Sequence, residues 1–218
     1  MKKLSQAIVV ASALTAGLAG TQAAHAEISA SADIASAYLF RGMNLSQGEA
    51  VVSGSLDYAN ESGVYAGVWG SSGDTNAGTE YDLYVGFAKE FGDVSVDVGY
   101  VSFIYPNSAD DDIDDFGEYY LGLGFQNFSL GAAANTDTDK NGEYVYYTLG
   151  YEMDAVAATV GFFTDGDEDA DGSYTHVDLS YAYNDSLSFT VSQIVDHEDD
   201  DRSGDSTNFV VGYSLPIE

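Results

Sequence analysis

The chain has 218 residues, with 36 Asp and Glu against 6 Lys and Arg, for a formal net charge of −30. Such a surface excludes nucleic acid and anionic headgroups as natural partners and suits cations instead. There is no cysteine, so a disulfide framework and thiol chemistry are excluded too.

The chain opens Met1-Lys2-Lys3, runs through small and apolar residues from Leu4 to Gly20, and reaches Ala24-His25-Ala26, a small-x-small cleavage pattern. This predicts a signal peptide over residues 1–26 and a mature domain over 27–218. Ser5, Gln6, Ser12 and Thr15 interrupt the apolar run, and no stop-transfer charges follow, which argues against a membrane anchor. No other stretch has the ~18 consecutive apolar residues of a membrane helix, so any crossing must be made by strands.

A first strand is expected from Ile28 to about Phe40, with Ile28, Ala30, Ala32, Ile34, Tyr38 and Phe40 on one face and Ser29, Ser31, Asp33 and Arg41 on the other. After a polar link, Gly42 to Gly48, the second strand carries Ala50, Val52, Gly54, Leu56 and Tyr58 opposite Ser53, Ser55 and Asp57. A turn at Asn60–Gly63 leads to a third strand, Val64 to Gly70, whose faces the sequence does not distinguish. A Gly/Ser/Asp link, Ser71 to Gly78, follows.

The clearest hairpin runs from Tyr81 to Tyr105. Tyr81, Leu83, Val85 and Phe87 alternate with Asp82, Tyr84, Gly86 and Ala88; then Val94, Val96, Val98 and Tyr100 alternate with Ser95, Asp97 and Gly99. Strict period-two alternation means a strand with one apolar and one polar face. Glu90-Phe91-Gly92-Asp93 supplies the turn.

Pro106–Asp115 reads as a long acidic loop. Strands then follow over Tyr119–Phe125, Phe128–Ala134, Val145–Tyr151, Val156–Phe162, Thr175–Tyr183, Leu187–Val191 and Phe209–Ile217. Short turns at Gln126–Asn127, Met153–Asp154 and Asn184–Ser186 alternate with longer polar segments at Thr136–Gly142, Asp165–Gly172 and Asp196–Asp205.

Twelve strands with alternating short and long links predict an all-β fold, an up-and-down antiparallel transmembrane β-barrel with tight periplasmic turns and long outer loops. The repeat is a hairpin, recurring irregularly. Aromatics support this, with Tyr81, Tyr119 and Phe162 near an outer rim and Phe87, Phe125, Phe128, Tyr181 and Phe189 near an inner one. The competing fold is a secreted sandwich, in which the same aromatics are core. Gly212-Tyr-Ser-Leu215-Pro-Ile217 is similar to the terminal signal read by the barrel assembly machinery, although Pro216 and Glu218 depart from it.

Ser36-Ala-Tyr-Leu-Phe-Arg-Gly42, Gly54-Ser-Leu-Asp-Tyr58, Gly63-Val-Tyr-Ala-Gly-Val-Trp-Gly-Ser71 and Glu80-Tyr-Asp-Leu-Tyr-Val-Gly86 resemble the TorF-type porins, a conserved bacterial family of the Gcw_chp type with unknown function. The resemblance is concentrated between Ser36 and Tyr105. It implies an outer-membrane barrel and a porin role, with no established substrate and no catalytic residues.

The polar phase of the strands places Asp33, Asp57, Glu80, Asp82, Asp97, Glu118 and Asp178 inward, with Arg41 as the main basic counterpart. Acids lining a pore attract cations and repel anions. The alternative is a plugged interior, in which they serve only as hydrogen-bond acceptors. Arg41 is positioned to pair with one of them across the lumen.

Asp167, Asp169 and Asp171, followed by Gly172 and Asp178, follow the spacing of a Ca²⁺-binding EF-hand loop with Asp for the final Glu. Strands flank the motif where helices belong, and strand assignment draws Asp178 into the barrel. His176 and Asp178 share a strand face, and such a pair can activate water. No nucleophile motif accompanies it, and the Ser/His signature of outer-membrane phospholipases is missing, so His176 reads as a lumen or rim residue. His197 falls in an acidic loop and is expected to be solvated.

The function expected is therefore non-enzymatic: a porin-like channel in the outer membrane of a Gram-negative bacterium for passive diffusion of small cationic or neutral solutes. Its partners are outer-membrane lipid, those solutes and the assembly machinery; no cofactor is expected, and the one candidate is Ca²⁺ in the acidic loops. The alternative is a structural or adhesive barrel whose acidic loops bind cations.

Overall fold

A computed structural model describes residues 27–107, 116–136, 143–166, 172–197 and 207–217. The strands are β1 (Glu27–Ala35), β2 (Leu39–Phe40), β3 (Met43–Asn44), β4 (Val51–Ala59), β5 (Val64–Asp74), β6 (Gly78–Phe91), β7 (Val94–Ile104), β8 (Gly117–Phe125), β9 (Phe128–Asn135), β10 (Tyr144–Met153), β11 (Val156–Asp165), β12 (Tyr174–Ala182), β13 (Leu187–His197) and β14 (Asn208–Ile217). Twelve of them close into an antiparallel up-and-down barrel in the order β1-β14-β13-β12-β11-β10-β9-β8-β7-β6-β5-β4, while β2 and β3 form a separate two-stranded ribbon. β1 closes the ring by pairing with β4 on one side and β14 on the other.

Alternation decides the two faces. Ile28, Ile34, Val52, Leu56, Val85, Leu121, Leu149, Leu179 and Leu215 all point out and are exposed, Ile28 to 71%. A sandwich buries such residues; here they form the outer wall, which excludes the sandwich. Tyr81, Tyr119 and Phe162, together with Phe125, Phe128 and Tyr181, are likewise exposed on that wall. The third predicted strand resolves through its register: Leu56 pairs with Val68 and Asp57 with Gly67, so Tyr65, Gly67 and Trp69 face in.

Inward glycines make room for tyrosines. A side chain on Gly67 would meet Tyr84, one on Gly86 would meet Tyr65, and one on Gly99 would meet Tyr120. Each ring lies across a neighbouring strand's backbone, which no residue larger than glycine permits at that approach.

Three expectations need correction. The first strand does not run to Phe40: it ends at Ala35, and Tyr38, which alternation placed on the apolar outer face, is buried inside. The chain leaves the sheet at Ser36, whose amide bonds Val211 on β14. The link 71–78 is mostly strand, because β5 continues to Asp74 and β6 starts at Gly78, with the ladder shifting register between Ser71 and Asp74. His197 ends β13 and is half-buried, since that strand extends six residues past Val191 to pair with β12, with a bulge opposite Thr175–His176.

Candidate functional site

The interior is organised by the segment from Ser36 to Glu49, which folds inside the barrel between β1 and β4. Its ribbon turns on Arg41 and Gly42, with φ of 48° and 84°. Register pairs Phe40 with Met43, so Arg41 and Gly42 form the two-residue loop of a hairpin, and such a loop with positive φ at both positions is the tight primed turn. Glycine is required at the second position twice over: a Cβ on Gly42 would also lie 2.6 Å from the His176 Cβ.

Internal bonds hold the segment's shape. The Leu45 amide donates to the Tyr38 carbonyl at 2.8 Å. Ser46 Oγ accepts from the Tyr38 amide at 2.8 Å and donates to the Glu49 carbonyl at 2.7 Å. Further bonds tie it to the rest of the barrel: the Val211 amide donates to Ser36 Oγ at 2.9 Å, the Thr75 amide donates to the Leu45 carbonyl at 3.0 Å, and Asn44 Nδ2 donates to Asn208 Oδ1 at 3.2 Å. Ala37 and Leu39 pack against Val210 of β14.

Arg41 carries the longest reach. Its two terminal guanidinium nitrogens donate to the two Glu118 carboxylate oxygens at 2.8 and 2.6 Å. Glu118 lies on β8, far around the ring from β1 and β4, so the pair crosses the interior. The guanidinium also lies 4.3 Å from the Tyr146 ring centroid and 4.7 Å from that of Phe40. A bidentate fork and two aromatic faces are what a buried guanidinium needs in place of water. The Tyr144 hydroxyl completes the site with a 2.7 Å bond to Glu118.

A second tyrosine–acid set lies beside it. Glu80 accepts the Tyr38 hydroxyl at 2.7 Å and the Tyr105 hydroxyl at 2.9 Å. Arg41 and Tyr38 belong to the connecting segment and not to a spanning strand. Burial by itself lowers the Arg41 value, but the Glu118 charge and its hydrogen bonds outweigh it and hold Arg41 above the ordinary arginine value. Burial, then the Glu80 carboxylate, pushes the Tyr38 hydroxyl far above the usual tyrosine range.

Nearer the short turns, Tyr65 donates to Asp97 at 2.6 Å and lies 2.5 Å from the Tyr120 hydroxyl. Tyr84 donates to Asp57, which also accepts from Ser55 Oγ at 2.7 Å. Asp33 accepts from Ser31 Oγ at 2.6 Å. His176 is buried, stacks on Tyr146 and sits between the Tyr146 hydroxyl at 2.8 Å and Asp178 at 3.1 Å.

All the acids assigned to the polar phase thus take the inward face, and the structure brings Arg41, Glu118, Glu80 and Asp82 into one neighbourhood. Of the two Lys and Arg residues among those described, Arg41 reaches inward and Lys89 is exposed. Asp57 and Asp97 form a separate set with tyrosines, and Asp178 pairs with His176. Asp167, Asp169 and Asp171 lie outside the described residues, as does the predicted signal peptide. Sequence reading singled out none of the inward tyrosines, Tyr38, Tyr65, Tyr84, Tyr120, Tyr144 and Tyr146. For Tyr84 the signal was present, since it shares the phase of Asp82.

Solved structures share this fold. The KdgM porin matches with a TM-score of 0.52 at 9% identity, over 88% of this chain and 100% of that one. The KdgM porin in complex with disordered oligogalacturonate gives 0.50 at 9% identity and the same coverage. The outer membrane phospholipase A from Escherichia coli gives 0.44 at 13% identity, over 85% of this chain and 88% of that one. At 9% identity the likeness to the two porin structures speaks for the barrel alone. No curated protein matches the chain. The family model Gcw_chp matches residues 19–210, so the chain belongs to this family, described as bacterial protein of unknown function.

Proposed function

We propose that this protein is a narrow, non-enzymatic diffusion channel of the Gram-negative outer membrane, selective for small cationic or neutral solutes. The observation that carries the proposal is the division of the barrel wall: exposed aliphatic and aromatic side chains outside, carboxyl groups inside. An apolar outer band fits lipid, and an acid-lined interior repels anions. A closed barrel with a lipid-facing wall needs the assembly machinery for insertion. One of the solved porins holds an oligogalacturonate, a polyanion. Inward carboxyl groups, facing one guanidinium among the described residues, favour the opposite charge in this chain.

A second reading, a structural barrel with no conducting path, is favoured by the Arg41–Glu118 bridge and the burial of Ala37, Tyr38 and Leu39 in the interior. Planar-bilayer recording separates the two. Discrete conductance steps, with a reversal potential across a KCl gradient of cation-selective sign, support the channel; selectivity weakens in Asp57→Asn combined with Asp97→Asn. A folded barrel silent at all voltages supports the structural reading, and anion selectivity refutes the acid-lined pore.

A further inference from the structure

Asp82 stands apart from the other inward acids. It is 1% exposed, and among the described residues no donor reaches either carboxylate oxygen. Glu80 takes two tyrosine hydroxyls, Glu118 a guanidinium fork and a hydroxyl, and Asp57 and Asp97 a tyrosine each. A buried carboxylate without donor or countercharge is among the costliest groups in a protein. The Glu80 and Glu118 charges act on it from nearby. Arg41 does not relieve it: its two terminal nitrogens bond Glu118, and among the described residues neither Asp82 oxygen takes a donor.

The surroundings of Asp82 are aromatic. Its cross-strand neighbours are Trp69 on β5 and Phe103 on β7. The Tyr38 ring lies 5.9 Å from that of Trp69, and the Phe40 and Phe116 rings lie 6.3 and 5.3 Å from that of Phe103. A hard metal ion wants several oxygen ligands, and among the described residues no three His, Asp or Glu side chains are grouped to hold one. Aromatic faces around one carboxylate suit an organic ammonium instead. Two unbonded acceptor oxygens suit N–H donors in particular.

We propose that Asp82, walled by Trp69, Phe103 and Tyr38, is a binding site for the primary ammonium group of a small amine. The proposal rests on the reading of the barrel as a cation channel and names the class of solute. Asp82 receives the N–H donors, and the rings face the charge. Tyr38 is the side chain that must turn to admit the ligand. Its hydroxyl bonds Glu80, and its backbone bonds run to Leu45 and Ser46 of its own segment, so no barrel ladder breaks when the ring moves.

The chain's one tryptophan, Trp69, is a built-in reporter. Full-length folded protein in detergent is titrated with ethylammonium chloride at constant ionic strength, with potassium chloride as reference, following Trp69 emission and, in parallel, heat by calorimetry. The expected result is saturation by ethylammonium at concentrations where potassium gives none, weakened about tenfold or more in Asp82→Asn, the ratio that ~1.4 kcal/mol of lost interaction gives. An identical response to potassium, an unchanged affinity in Asp82→Asn, or no saturation by either readout overturns the site. The comparison with potassium needs no variant, so it stands even if Asp82→Asn fails to fold. Conductance of the same preparation separates the two proposals. A conducting barrel that binds no ethylammonium overturns the site and keeps the channel. A silent barrel that binds it keeps the site and overturns the channel.

Discussion

Replacing Arg41 with Ala unseats the internal segment while leaving the barrel closed. The ring is held by twelve strand ladders in which Arg41 takes no part, so the cost falls on the seating of residues 36–49. Removing one member of a buried ion pair costs roughly 3–5 kcal/mol, because the other charge stays behind without its partner. Glu118 keeps the Tyr144 hydroxyl at 2.7 Å, which argues for the lower end. A cost of about 3 kcal/mol raises the population of the unseated segment on the order of a hundredfold. The native chain has no cysteine, so Ala37→Cys gives a single thiol at a position 4% exposed. Its rate of labelling by a water-soluble maleimide, measured with and without Arg41→Ala, reads the change directly. Labelling should accelerate strongly in the Ala variant and return most of the way in Arg41→Met combined with Glu118→Leu, which leaves no orphan charge. Equal labelling rates with and without Arg41 would refute the idea that the ion pair seats the segment.

Gly42→Ala places a Cβ 2.6 Å from the His176 Cβ on a backbone at φ 84°, so it should accelerate the same labelling while barrel heat-modifiability on gels stays unchanged. Leu56→Arg, on the exposed outer face, should destabilise the barrel by roughly 2–4 kcal/mol in urea titrations from lipid vesicles if that face meets the bilayer mid-plane, and by little in detergent-free aqueous folding of a soluble barrel. Gly99→Ala drives a Cβ into the Tyr120 hydroxyl, and should lower urea stability by about 1–3 kcal/mol as that ring is displaced. Asp167, Asp169 and Asp171 changed together to Asn should abolish calorimetric Ca²⁺ binding in the range of roughly 10⁻⁴–10⁻³ M, without unfolding the barrel; unchanged binding would leave only a diffuse counterion cloud.

Much of the wall was legible because period-two alternation acts residue by residue. Asp82, Asp97 and Glu118 could be assigned inward from their neighbours alone, and the register confirms the phase of each. The internal segment was not legible for the same reason. Tyr38 and Phe40 continue the even-numbered apolar phase of β1, so alternation carries on through a point where the backbone has already left the sheet. Alternation reports which side of a strand a residue occupies, and is silent on whether the strand still has neighbours. The available signal was Arg41-Gly42, an X-Gly pair fit for a tight primed turn, within an apolar run. The tyrosine–glycine pairings escaped notice because they join residues on different strands: Tyr84 meets Gly67, and Tyr65 meets Gly86. Only register brings them together.

The ring closure has a kinetic corollary. Every wall strand except one pair meets a partner adjacent in the chain or separated from it only by the internal ribbon; the exception is β1 with β14, the two ends of the domain. Loop-closure entropy grows only logarithmically with length, about 0.6 kcal/mol per doubling, yet here it is concentrated in a single event. Hairpins form and add locally, and the β1–β14 seam is the one long-range step. Ala37 and Leu39 pack on Val210 of β14 directly inside that seam, and the Ser36 amide bonds Val211. Docking of the internal segment is thereby coupled to the step that zips the cylinder shut, and acts as an inner latch on the joint through which the barrel would reopen.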